Sequence, residues 1–120
     1  MASKLYAGST TPFDPQEWSG GDLFKTSGDG ITFGRNAFWT PDTQAAARNA
    51  FTVEAPADGD IFQVKADAFA NLTNKITVTA SGTQTIDGDP TFEITTALAW
   101  SRHRYNAATN NWELIGGYSG

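Results

Sequence analysis

The sequence predicts an all-β fold, a small antiparallel β-sandwich or barrel carrying an extended N-terminal arm. Three observations lead there. Apolar and polar residues alternate in short runs, which suits strands with one buried face. Gly, Asp, Asn and Pro clusters separate those runs at the spacing of β-sandwich and barrel proteins. No strand is followed by a long amphipathic helix pattern, so there is no parallel βαβ rhythm.

Two regions are expected, an arm over residues 1–30 and a β-rich domain over residues 31–120. In the arm, Gly8, Pro12, Pro15, Gly20, Gly21, Gly28 and Gly30 interrupt any helix or long strand. Yet it carries Leu5, Tyr6, Phe13, Trp18, Leu23 and Phe24, more apolar surface than a simple disordered tail holds. Such a segment needs a surface to lie on, either its own domain or a neighbouring subunit.

The strand period begins at Ile31-Thr-Phe33. Thr40-Pro41-Asp42 before Gln44-Ala-Ala-Ala47 predicts a short helix with Thr40 as N-cap and Pro41 in its first turn. Alternation returns from Phe51 to Ala55, and Asp58-Gly59-Asp60 marks a turn into a strand from Ile61 to Lys65. Residues 66–74 read as a loop. Ile76-Thr-Val78-Thr-Ala80 is the clearest two-faced strand; Ser81-Gly82 turns it, Thr85-Ile86 starts a short strand, and Asp87-Gly88-Asp89-Pro90 turns again. Phe92, Ile94, Leu98 and Trp100 are expected on one face of a long strand. A polar loop from Asn106 to Asn111 then leads into Trp112-Glu-Leu114-Ile115.

Composition narrows the function. The 120 residues hold 13 acidic and 8 basic side chains, for a formal charge of −5, with the basic ones scattered. Phosphate binding needs clustered Lys and Arg, so no nucleic-acid partner is expected. No membrane partner is expected either, since no window approaches the apolar length of a span. The N-terminus lacks the apolar run of a secretory leader. With no cysteine, disulfides and thiolate chemistry are excluded. Only 39% of residues are hydrophobic, which points to part of the apolar surface being buried against other chains.

Each candidate site also has a structural use. "WSRHRYNAATNNW", from Trp100 to Trp112, holds the single histidine, His103, with Arg102 and Arg104 beside it. No nucleophile motif accompanies His103, so no catalytic residue is assigned and no enzymatic activity is expected. Arg102, Arg104 and Tyr105 are candidates for a subunit interface, the arginines pairing with carboxylates. If Trp100 faced the core, strict alternation would place both arginines inward, so the strand is expected to leave the core or meet another chain there. The two Asp-Gly-Asp turns lack the remaining ligands of a Ca²⁺ loop, and no metal or cofactor is assigned. Asn71-Leu-Thr73 matches a glycosylation sequon without a secretion signal to make it meaningful. Among the aromatics, Trp39 and Trp112 are the candidates for stacking on a glycan, against the commoner reading as core.

The second half carries a more specific signal. Pro56, the Asp58-Gly59-Asp60 turn, the Asn74 to Val78 strand, Thr85-Ile-Asp-Gly88 and Asn111-Trp112 with Ile115 stand in the order and spacing of a β-rich tailed-phage virion module. Residues 50–116 resemble that module, which occurs in tail fibres, tailspikes and capsid-decorating proteins. The resemblance implies a non-enzymatic, trimeric virion protein. A fibre needs an attachment domain, a shaft and a tip, which a chain of this length does not hold. The expected function is therefore capsid decoration: a cement protein on the outer capsid surface, bound to the major capsid protein and to itself as a homotrimer. Tyr6, Phe13 and Trp18 would anchor its arm on the capsid. The alternative is a tail-fibre or receptor-binding module that recognises host glycans.

Overall fold

The computed structural model describes residues 31–33 and 36–118. The arm, with Tyr6, Phe13 and Trp18, lies outside the described residues. Among the described residues nine strands form two sheets: β1 (Ile31–Thr32), β2 (Ala37–Trp39), β3 (Arg48–Phe51), β4 (Ile61–Lys65), β5 (Ile76–Thr79), β6 (Thr85–Ile86), β7 (Thr91–Ile94), β8 (Trp100–Asn106) and β9 (Asn111–Tyr118). One sheet has the order β1-β3-β5-β7, the other β2-β4-β8-β9-β6. The all-β expectation holds, and no residue among those described is helical.

The antiparallel expectation does not hold. Among the described residues β1–β3, β2–β4, β3–β5 and β6–β9 pair in parallel, and only β4–β8, β5–β7 and β8–β9 are antiparallel. The cause is in the path. From β1 to β8 the chain changes sheet after every strand, so the parallel neighbours β1–β3, β2–β4 and β3–β5 are each joined through a strand of the other sheet. That excursion supplies the crossover that parallel neighbours need and that a helix usually provides. Side-chain alternation records which face is buried and carries no mark of pairing direction.

The core lies between the sheets. Ala50, Ile76, Val78 and Ile94 of the first sheet meet Trp39, Phe62, Val64, Ile86 and Trp112 of the second. At its centre Phe62 stacks on Phe33 at 5.1 Å and on His103 at 4.9 Å, and tilts against Trp112 at 5.1 Å. Each large apolar side chain fully buried in this way contributes about 1.5–3 kcal/mol.

Local chemistry explains three departures from the sequence expectations. The helix after Thr40 is replaced by a bend, because its backbone groups are bound elsewhere. Asp67 accepts from Thr43 N–H at 2.8 Å and from its Oγ1 at 2.6 Å. Arg48 Nε donates to Asp42 O at 2.7 Å, and Asn74 Nδ2 to Thr43 O at 3.0 Å. The expected strand from Phe51 to Ala55 instead ends at Phe51. There Thr52 turns inward, accepting from Ser81 N–H at 2.9 Å and donating to Gln84 Oε1 at 2.6 Å.

The expected long strand from Phe92 to Trp100 is broken by a corner at Leu98, whose φ is 66°. Leu98 N–H donates to Asp67 O and Lys65 Nζ donates to Leu98 O. A non-glycine residue in the left-handed region persists only where its surroundings hold it there. The corner moves the chain from the first sheet to the second and resets the alternation.

Candidate interaction cleft at the open end of the sheets

After that corner Ser101, His103 and Tyr105 point into the core, and Trp100, Arg102 and Arg104 lie on the outer face. The expectation that Trp100 shares the core face of Phe92 and Ile94 is thus corrected. The arginines reach solvent without crossing the core. Arg102 lies over the Trp100 ring at 5.7 Å and donates from Nε to Gln63 Oε1 at 2.8 Å. Tyr105 is only 6% exposed, with its hydroxyl donating to Asn110 Oδ1 at 2.6 Å. It is a core residue of its own chain and presents no face to a second subunit. Trp39 and Trp112, 0% and 2% exposed, likewise cannot stack on a glycan from outside. Trp112 Nε1 instead donates to Gln84 Oε1 at 2.9 Å.

The Asp-Gly turns bear internal loads. Asp87 and Gly88, with φ of 50° and 86°, turn the chain between Ile86 and Asp89, which exchange both backbone hydrogen bonds. Two successive positive φ values define a type I′ turn, the form that Asp-Gly favours. The Asp87 carboxylate then leaves the turn: Oδ2 sits 3.0 Å from His103 Nε2, and Oδ1 accepts from Leu114 N–H at 2.9 Å. At the other turn, Asp58 Oδ1 accepts from Ala107 N–H and Asp60 Oδ2 from Ala57 N–H, both at 2.9 Å.

His103 is fully buried, stacked on Phe62 and edge-on to Phe92 at 4.7 Å. Burial pulls its pKa below the ordinary value of 6.5, while the hydrogen bond and charge of Asp87 oppose that shift. The neutral ring donates from Nε2 to Asp87, which leaves Nδ1 as an unpartnered acceptor in the core. Its folded pKa lies below its unfolded one, so the unfolded chain binds the proton more readily. Stability is therefore complete above about pH 6.5 and falls as pH drops through and below that value. His103→Phe should flatten this part of a melting-temperature profile between about pH 8 and pH 5. An unchanged slope in the variant would show that the loss comes from the carboxylates alone.

An open cleft lies beside this turn. At β8–β9 the register shifts, with Arg102 opposite Gly116 and His103 opposite Leu114, so Ile115 is the extra residue of a bulge. Leu114 shares the inward face of its partner His103, yet it is 52% exposed, and Ile115 is 51% exposed. The first sheet does not cover them. The short β6 pairs only with Asn111 and Trp112, so among the described residues the later part of β9 has no strand on that side.

Across from it runs β7, the edge strand of the first sheet. Ala80 N–H donates to Pro90 O, and the antiparallel alternation then turns the backbone groups of Thr91 and Glu93 away from β5. Between the two edges is a cleft of about 630 Å³, lined by Phe92, Ile94, Ser101, Leu114, Ile115 and Gly117 among others. Ala99, Ser101, Gly116 and Gly117 are too small to fill it. Ser101 is 3% exposed and its Oγ has no hydrogen-bond partner.

Sequence reasoning named none of these cleft residues as a site. Comparison of the sequence with protein-family models and with curated proteins finds no match.

Proposed function

We propose that the chain is a non-enzymatic structural protein of a tailed-phage virion, a decoration protein that binds the outside of the capsid as a homotrimer. The observation that carries a binding role is the cleft between β7 and β9. There Leu114 and Ile115, each about half exposed, stand beside two strand edges that face no neighbour among the described residues. Exposed apolar surface next to open strand edges is a surface built for another polypeptide. The virion setting rests on the resemblance of residues 50–116. In this reading Tyr6, Phe13 and Trp18 grip the major capsid protein, and the outward Arg102 and Arg104 pair with carboxylates at a subunit contact. Tyr105 no longer belongs to that contact.

The mechanism is linkage. A protein that binds only the assembled shell stabilises it by RT ln(1 + [L]/Kd), about 2.7 kcal/mol when free protein stands at a hundred times Kd. The test is binding of the full chain and of a variant lacking residues 1–20 to undecorated capsids. Saturable binding by the full chain, lost on deletion, is expected. No binding by the full chain would reject the capsid role, and unchanged occupancy by the variant would reject the arm as anchor.

A further inference from the structure

We infer that the outer face of the second sheet, over β4 and β8, docks an acidic segment of another protein, with Arg102 held ready for a carboxylate. The inference goes beyond the carboxylate pairing named above in giving it a built receptor and placing the acid on a different protein. It holds whether or not that protein is a capsid.

The cations are scattered in the sequence and gathered by the fold. Alternation along β4 and β8 puts Ile61, Gln63 and Lys65 on the same outer face as Trp100, Arg102 and Arg104. Register sets Gln63 beside Arg102 and Lys65 beside Trp100. The cationic side chains among the described residues are Arg48, Lys65, Lys75, Arg102 and Arg104, so three of them share one face. Against them the strands of that sheet carry a single carboxylate, Glu113. A chain with a formal charge of −5 thus turns one cationic face outward. Such a patch steers and orients a partner of opposite charge.

Arg102 is held in place within the fold. Its guanidinium lies over the Trp100 ring, and its Nε donates to Gln63 Oε1. The indole in turn lies against Gly116, where a Cβ would stand 3.6 Å from the ring. Nη1 and Nη2 then remain as a paired edge, the geometry that grips a carboxylate with two parallel hydrogen bonds. The stack and the Gln63 bond already restrict the side chain, so binding has less rotamer freedom left to remove.

Arg104 is the second contact. Glu113 is its partner in the β8–β9 register, yet Glu113 Oε2 accepts from Asn106 Nδ2 at 2.9 Å. Among the described residues Arg104 forms no ion pair. Two positions apart on one strand, the arginines present charges about 7 Å apart. Acidic residues at alternate positions of an extended segment repeat at the same spacing. Each carboxylate brings one charge to one guanidinium. A nucleic acid or a sulfated glycan brings many more, and the acidic remainder of the chain repels it. The face therefore suits an acidic polypeptide best.

The test is fluorescence anisotropy of a labelled oligo-glutamate peptide titrated with the full chain. Saturable binding is expected, weakening as salt rises from about 0.05 M to about 0.5 M because screening shortens the reach of the charges. Arg102→Lys keeps the charge and loses the fork, and should weaken binding about tenfold, the effect of losing one charge-assisted hydrogen bond. Gln63→Leu keeps every charge and should weaken binding too, through the freed Arg102. A cooperative melt of each variant shows that the fold is kept. No binding of oligo-glutamate would overturn the face as a docking surface, and parent-like binding by Arg102→Lys would overturn Arg102 as its receptor. Tighter binding of single-stranded DNA or heparin than of oligo-glutamate would overturn the polypeptide as partner. A salt-sensitive dimer of the free protein, dissociated by Arg102→Lys in sedimentation, would make a second copy the occupant and overturn a separate partner. None of these readouts uses capsids, so failure of the virion reading leaves them interpretable.

Discussion

Gln84→Ala is expected to lower stability by about 3–5 kcal/mol, a large share of what a domain of this size possesses. Gln84 is buried beside the short β6 and joins three separated segments. Its Oε1 accepts from Thr52 Oγ1 at 2.6 Å and from Trp112 Nε1 at 2.9 Å. Its Nε2 donates to Val53 O at 2.9 Å and to Glu54 O at 3.1 Å. Truncation removes four hydrogen bonds and strands the Thr52 and Trp112 donors in the core. Leaving a buried polar group unpaired costs about 1–3 kcal/mol, more than the bond contributes when made. Gln84→Met separates this from volume, since it keeps most of the bulk and loses every bond. Urea unfolding should therefore place Met near Ala. If Met instead lies near the parent, volume rather than hydrogen bonding governs the site.

The clasp matters because of where it sits. Thr52 follows β3 in the first sheet, while Trp112 lies on β9 in the second. Gln84 thus ties the two sheets together at this corner by hydrogen bonds. It also fixes the β9 end that continues into Leu114 and the open cleft. Loosening this corner should weaken the cleft before it unfolds the rest.

How much of this was legible in the sequence depends on the kind of fact. The strand from Ile61 to Lys65 and the short one at Thr85-Ile86 were legible, because alternation and flanking turn residues are local. The Asp87-Gly88 turn was legible for the same reason, as backbone chemistry written in two residues. The second task of Asp87, holding His103 and Leu114, was not, because its partners lie 16 and 27 positions away. Pairing direction was hidden too, since a parallel and an antiparallel neighbour bury the same face. The corner at Leu98 escaped because a leucine with positive φ carries no local signal. That one residue reverses which side of β8 faces inward, moving Trp100, Arg102 and Arg104 out and His103 in. The cleft opens where small residues, Ala99, Ser101, Gly116 and Gly117, stand among larger ones, and it shows only once the opposing edge is placed.

Phe62→Ala is the second large effect expected, a loss of about 3–5 kcal/mol in urea unfolding. Phe62 lies in the middle of β4 and touches Phe33, His103 and Trp112 at once. Its removal leaves a cavity that strands on both sides resist closing, because their positions are fixed by backbone pairing. The same substitution should alter the pH response. The low pKa of His103 comes first from burial, and Phe62 covers one face of its ring. With that cover gone, water reaches the imidazole, the desolvation penalty falls, and Asp87 draws the pKa upward. The folded and unfolded values approach each other, so the stability lost on acidification through about pH 6.5 should shrink even as the total falls. Phe62→Leu, which keeps most of the cover, should show a smaller loss and retain more of the slope. A Phe62→Ala protein with the parent's pH slope would mean that β8 backbone and Phe92, not Phe62, keep His103 dry.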